Sequence, residues 1–352
     1  MTALLPQIEF SKDVYFPGEE VTGRAWISTK KDLTARSVNI TFTGKTVTAW
    51  KGKKPVASSP TAKKSEDIHL QMSHEVWEPE NEKNVFPSGD YEWNFSFELP
   101  KECPASFEGA YGFIRYSVLV QIDVPNSKNK NKVEGAVTVS PIVNLNVIEG
   151  SDKQVRKQVE QQTQLCGCLP LNCGPFKKGT VLFTVLLPKL GYVSGETIAV
   201  SGLVENHAAK AVKAIEGSLV RIVTYRVAGK GKQGPDTKSN CKKVVETLRM
   251  DKLECQVPSG LSKEFSFALV IPPIVATIKN SQFLTVEYAV RITAKIGPCA
   301  NPAADANVII GNVPMEGHGQ PVQSFARISP AQCWTSYQKP AFVPQVPYYG
   351  SG

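Results

Sequence analysis

Tyr91, Trp93, Phe95, Phe97 and Leu99 alternate with Glu92, Asn94, Ser96 and Glu98, so apolar and polar residues trade places without a break. A strand sends successive side chains to opposite faces, so this period of two describes a strand with one face in a core and one in water. Tyr116, Val118, Val120 and Ile122 repeat the pattern, as do Val286, Tyr288, Val290, Ile292 and Ala294, and Val38, Ile40 and Phe42. About fifteen such runs are separated by Gly, Pro and Asn turns, which leaves little room for helices and predicts an all-β chain of antiparallel sandwiches. At 352 residues, two domains are expected. The apolar share of 41% is enough to give each a core.

The two halves resemble each other. Tyr15-Phe16-Pro17-Gly18-Glu19 recurs as Tyr192-Val193-Ser194-Gly195-Glu196, an offset of 195 − 18 = 177. Phe95-Ser96-Phe97 recurs as Phe265-Ser266-Phe267, at 265 − 95 = 170, and Tyr116 matches Tyr288, at 288 − 116 = 172. Three matches in one order at nearly constant offset indicate two copies of one sandwich. The expected division is residues 1–150 for the first copy, 151–178 for a linker rich in Gln, Lys and Cys, and 179–350 for the second. Val155, Val159 and Leu165 form a stripe too thin to establish a helix in the linker.

Charge divides unevenly. Residues 1–150 carry 17 − 19 = −2, and residues 151–352 carry 23 − 13 = +10. The second half is therefore where acidic partners or anionic lipid would dock, although net charge alone admits nucleic acid as well. Its richest basic stretch is Arg221, Arg226, Lys230, Lys232, Lys238, Lys242 and Lys243, a candidate patch for acidic partners. Lys51, Lys53, Lys54, Lys63 and Lys64 form a smaller analogue in the first copy. The longest uncharged apolar stretch, Phe265 to Ile278, is interrupted by Pro272-Pro273 and is too short to span a membrane. No signal-peptide pattern opens the chain, so a cytoplasmic location is expected.

Several motifs carry less than they promise. Gly229-Lys230-Gly231-Lys232-Gln233-Gly234 matches a dinucleotide fingerprint. A phosphate site there needs a helix to open, and Pro235-Asp236-Thr237 follows instead. His69 and His74, five apart on a strand, face opposite sides and do not share a metal. With four histidines and no nucleophile elbow, no catalytic constellation emerges and no enzyme activity is expected. Cys166, Cys168 and Cys173 lie too irregularly for structural zinc. Beside Lys177 and Lys178 they are candidate acylation sites, with unmodified thiols the plainer alternative.

The ordered landmarks resemble the α-arrestins, the arrestin-domain-containing proteins. Ile8-x-Phe10 followed by Tyr15-Phe16-Pro17-Gly18-Glu19-x-Val21-x-Gly23 is similar to the N-terminal signature, and Gly44-Lys45 with Trp50 to its next landmark. Gly191-Tyr192-Val193-Ser194-Gly195-Glu196-x-Ile198 resembles the start of the C-terminal arrestin domain, and Phe342-x-Pro344-x-x-Pro347-x-Tyr349 the last strand. The resemblance implies two tandem arrestin-like antiparallel β-sandwich domains. It also implies a non-enzymatic adaptor without cofactor that binds cytosolic segments of membrane proteins and directs their sorting, endocytosis or ubiquitination. Nucleic acid is not expected as a partner. The implied location is cytoplasmic, peripheral at the plasma membrane or endosomes. Where the family recruits HECT-type ubiquitin ligases it uses Pro-Pro-x-Tyr motifs docked in WW domains. This chain has only a degenerate version, Pro347 and Tyr349 in Val346-Pro347-Tyr348-Tyr349. Ser11-Lys12 stands where phosphorylation-gated relatives carry a lysine pair, so phosphate gating does not transfer. A second reading is a lipid-binding module that uses the basic C-terminal lobe.

Overall fold

A computed structural model describes residues 6–52, 54–55, 62–80, 84–125, 131–162, 179–228, 240–297 and 301–315. Among these residues the chain is strands and connections, without helix. The first lobe opposes two sheets. One holds β1 (Gln7–Phe10), β3 (Glu20–Thr29) and β9 (Gly89–Glu98), in the order β1-β3-β9. The other runs β2 (Val14–Tyr15), β12 (Lys132–Val139), β11 (Gly112–Asp123), β5 (Ser37–Lys51) and β6 (Lys54–Pro55). Here β7 (Lys63–Trp77) also pairs with β5, and β10 (Phe107–Gly109) with β11. A two-stranded ribbon joins β4 (Leu33–Thr34) to β8 (Val85–Phe86).

The second lobe repeats this plan. Its sheets are β13 (Val155–Gln162), β14 (Thr180–Leu187), β16 (Thr197–Asn206) and β19 (Ser262–Val270), and β15 (Gly191–Val193), β21 (Ala303–Gly311), β20 (Leu284–Lys295), β17 (Val212–Arg226) and β18 (Cys241–Val257), each in that order. Strand pairing is antiparallel except for β2 on β12 and β15 on β21, one parallel pair at the same place in each lobe. The alternating runs are the strands they predict. Tyr116, Val118, Val120 and Ile122 face inward on β11, and Val286, Tyr288, Val290, Ile292 and Ala294 on β20, all almost completely buried.

Equivalent positions make equivalent bonds. Gly18 and Gly195 adopt φ of +84° and +89°, a left-handed turn open to glycine and strained for other residues. Each turn is braced by its neighbouring glutamate. Glu19 accepts the Phe16 N–H at 3.1 Å and the Lys12 ammonium at 3.2 Å, and Glu196 accepts those of Val193 and Lys189, each at 3.0 Å. Gly23 lies opposite Phe95 and Gly202 opposite Phe265, so that each ring covers a bare glycine. The Tyr116 and Tyr288 hydroxyls each donate to a backbone carbonyl at 2.6 Å, those of Pro104 and Val275.

The segment expected as linker is shorter than its composition suggested. Residues 155–162 form β13, which pairs with β14 along its whole length and has no counterpart in the first lobe. Val155 and Val159 turn onto the core. A spacing of four suits a strand face, being even, as well as a helix face. The closing strand expected around Phe342 to Tyr349 lies outside the described residues. Between the lobes, residues 143–151 lie along the end of β21. Leu145 N–H donates to Val313 O at 3.1 Å, Val143 N–H to Asn312 Oδ1 at 2.7 Å, and Leu145 packs with Val193 and Met315.

Candidate functional site at the seam between the lobes

The hairpins β5–β7 and β17–β18 hold equivalent places in the two lobes, and their ends meet. On β5, Thr46 and Thr48 are fully buried, so their hydroxyls must find partners. Thr48 Oγ1 donates to Arg226 O at 2.6 Å, and Thr46 Oγ1 lies 3.1 Å from Ser281 Oγ, both in the second lobe. Ala228 N–H donates to Ser65 Oγ at 2.8 Å, Ala110 N–H to the Tyr225 hydroxyl at 2.9 Å, and Asn280 Nδ2 to Glu102 O at 3.0 Å. Two lysines cross in opposite directions. Lys63 Nζ donates to Asn240 Oδ1 at 3.0 Å, and Lys242 Nζ to Gly52 O at 2.7 Å.

Three aromatic rings fill the space between these bonds. Tyr111 meets Trp50 and Tyr225 edge-on, with centroids 6.3 Å and 5.6 Å apart. The Lys242 ammonium lies 4.8 Å from the Tyr111 ring centre and 5.8 Å from that of Trp50. Such contacts favour a cation over a neutral group. At the edge of the seam β7 bulges, and His69 is the extra residue between Ile68 and Leu70. Its Nε2 lies 2.7 Å from Thr46 Oγ1 and its Nδ1 3.6 Å from Asp67. Burial lowers the His69 pKa below the usual histidine value, against the opposing pull of Asp67. His74 instead stacks on Phe97 at 4.7 Å, so the two histidines serve separate surroundings.

The expected basic patch is divided by this geometry. Arg221 does not join a surface. It shares the inward parity of Leu219, Val223 and Tyr225, is 8% exposed, and is paired with Glu246, its neighbour across the ladder. Arg226 is half-buried and reaches Thr285 Oγ1 at 3.4 Å. Lys242 is taken up by the seam, and Lys243 is exposed beside it. Lys230, Lys232 and Lys238 lie outside the described residues, as do Cys166, Cys168 and Cys173 and the Pro347 and Tyr349 motif. Among the described residues no group of His, Cys, Asp or Glu is arranged to hold a metal. Trp50, Tyr111, Ser65 and Asn240 were not anticipated as site residues. The available signal was positional, because Lys63 and Lys242 each follow the turn of an equivalent hairpin.

The exposed part of the seam carries Lys51 and Lys64 from the first lobe and Lys243 from the second. Lys64 shares Glu66 with Lys45, at 3.2 Å and 2.9 Å, and the two lysines lower the Glu66 pKa. This arrangement holds no reacting group. What it can offer chemically is a pair of neighbouring hairpin ends, one per lobe, with cations on their rim. No helix among the described residues is long and apolar enough to cross a membrane.

Comparison with known proteins places both lobes. Residues 4–146 match the family model for the arrestin (or S-antigen) N-terminal domain, and residues 177–315 that for the arrestin (or S-antigen) C-terminal domain. The chain is 24% identical to arrestin domain-containing protein 4 of Mus musculus over 352 residues, covering 96% of this chain and 79% of that protein. The Homo sapiens protein of the same name gives 24% over 347 residues, with 96% and 78% covered. Arrestin domain-containing protein 17 of Caenorhabditis elegans is 26% identical, with 86% and 68% covered.

Proposed function

The chain belongs to the α-arrestins within the arrestin family, and from that premise we propose that it is a non-enzymatic adaptor that binds cytosolic segments of membrane proteins and directs their trafficking. The observation that carries this reading is the tandem arrestin fold itself, whose lobes bring equivalent hairpin ends to one seam. A segment lying across that seam touches both lobes at once, so its affinity draws on both surfaces. Acidic stretches of such a segment meet Lys51 and Lys243, which are exposed on opposite sides of the seam. Sorting, endocytosis and ubiquitination are the outcomes through which the adaptor acts, and the cytoplasm is its place of work.

Proximity labelling in cells with the full chain tests this. Transmembrane proteins should be enriched, and a Lys51→Glu, Lys243→Glu variant should lose most of that enrichment while remaining folded. No enrichment of transmembrane proteins with the unaltered chain would overturn the trafficking role. Enrichment unaffected by the double reversal would move the binding surface away from the seam.

A further inference from the structure

We infer that Lys242 is the pin of a charge-dependent clasp that sets how the two lobes are held against each other. Two hairpins contribute equivalent parts. On β5–β7, Trp50 stands opposite Lys63 across the ladder, and on β17–β18, Tyr225 stands opposite Lys242. Each lysine passes over its own hairpin end and donates to the turn of the other lobe, Lys63 to Asn240 Oδ1 and Lys242 to Gly52 O. The Lys242 ammonium is further cradled by the rings of Tyr111 and Trp50, both from the first lobe. Tyr111 in turn leans on Tyr225, whose hydroxyl receives the Ala110 N–H. The pin therefore touches Gly52, Trp50 and Tyr111 directly and reaches Tyr225 through one ring.

Among the described residues the groups in contact with the ammonium are neutral: a carbonyl oxygen and two ring faces. A neutral side chain of similar length keeps the packing of the stem and loses both the cation–π attraction and the charge-strengthened hydrogen bond. Apart from the second lysine, Lys63 on Asn240, the other hydrogen bonds described at this seam join hydroxyl, amide and carbonyl groups, individually modest and easily exchanged for water. Each lobe, by contrast, has two sheets of its own. Loss of the charge should therefore loosen the seam while both sandwiches stay folded, which makes lobe geometry responsive to whatever competes for that ammonium.

Hydrogen–deuterium exchange on the full chain separates the possibilities, with Lys242→Met and Lys242→Arg beside the unaltered protein. The amides of Ala110 and Ala228 are bonded across the seam and report on it. The clasp predicts that Lys242→Met accelerates their exchange about tenfold, with the amides of β9 and β19 unchanged, and that Lys242→Arg stays near the unaltered protein. Unchanged exchange at both amides in Lys242→Met would overturn the clasp. Equal acceleration in both variants would assign the effect to stem packing instead of charge, and faster exchange throughout the lobes would make Lys242 a general stability residue. Either result also overturns it.

Discussion

Tyr15 and Tyr192 occupy the same place in the two copies and are equally buried, but their hydroxyls are not equally well bonded. Tyr15 donates to Thr22 O at 3.0 Å and accepts the Lys12 N–H at 3.2 Å, whereas the Tyr192 hydroxyl donates to no described group and meets only the Lys189 N–H, the equivalent of Lys12, in a contact short of good hydrogen-bond geometry. Removing a well-bonded hydroxyl costs about 1 kcal/mol, and removing a poorly bonded one costs less. Tyr15→Phe should thus lower the urea midpoint at neutral pH, and Tyr192→Phe should lower it less or leave it unchanged. Burial also pushes the Tyr192 phenol from 10.0 up to about 12. The folded state holds that proton more tightly than the unfolded chain, so the contribution is complete below pH 10 and lost as pH rises toward 12. The stability of Tyr192→Phe relative to the unaltered protein should therefore rise between pH 8 and pH 11, and a difference constant with pH would contradict it. Gly202 carries a different cost. A β-carbon there would sit 2.0 Å from Thr184 O and 2.6 Å from the Phe265 ring, so Gly202→Ala should lower stability by about 1–3 kcal/mol in urea unfolding. The glycine turns and paired phenylalanines were visible as repeats in the chain. The lysine partners of Glu19 and Glu196 were equally present and went unread, because residues seven apart meet only through the turn that folds them together.

At the level of strands, alternation told which residues face inward wherever one face is wet. It was weakest where both faces are covered or the count slips. β17 is buried on both sides, so Arg221 looked like a surface charge in a basic stretch although its parity with Leu219 and Tyr225 placed it inside. Glu246 is half exposed, so its attraction for Arg221 is partly screened. Glu246→Gln should accordingly cost about 1–2 kcal/mol, read from the shift in thermal midpoint, well below the loss for a fully buried pair. β13 was missed for another reason: it is an addition to one copy, so comparison of the halves could not find it. Val159 turns onto the core, and Val159→Asp should lower the stability of the second lobe by roughly 2 kcal/mol in urea unfolding. An unchanged midpoint would mean that β13 adds nothing to the sandwich. The bulge at His69 had no signal in the chain at all, since one extra residue leaves composition and periodicity almost intact.

Across the whole molecule, the duplication explains both the architecture and the seam. Two sandwiches of one plan bring equivalent hairpins together, and the hydrogen bonds between them join hydroxyls, amides and lysines around the packed rings of Trp50, Tyr111 and Tyr225. Polar interfaces of this kind suit lobes that stay together yet adjust. The fold class and the pairing of copies could be read from the chain, because hydrophobic period and turn glycines are local properties. The seam could not, because its partners are separated by 177 and 190 residues, as in Lys63 with Asn240 and Gly52 with Lys242. An adaptor of this architecture is proposed to take its cargo at the seam. A photo-cross-linking amino acid at Lys243, beside the seam, and another at the exposed Ser266, on the outer face of the opposite sheet of the second lobe, would decide it in cells. Integral membrane proteins captured from position 243 and not from 266 are the predicted result. Equal capture from both positions, or none from 243, would contradict it.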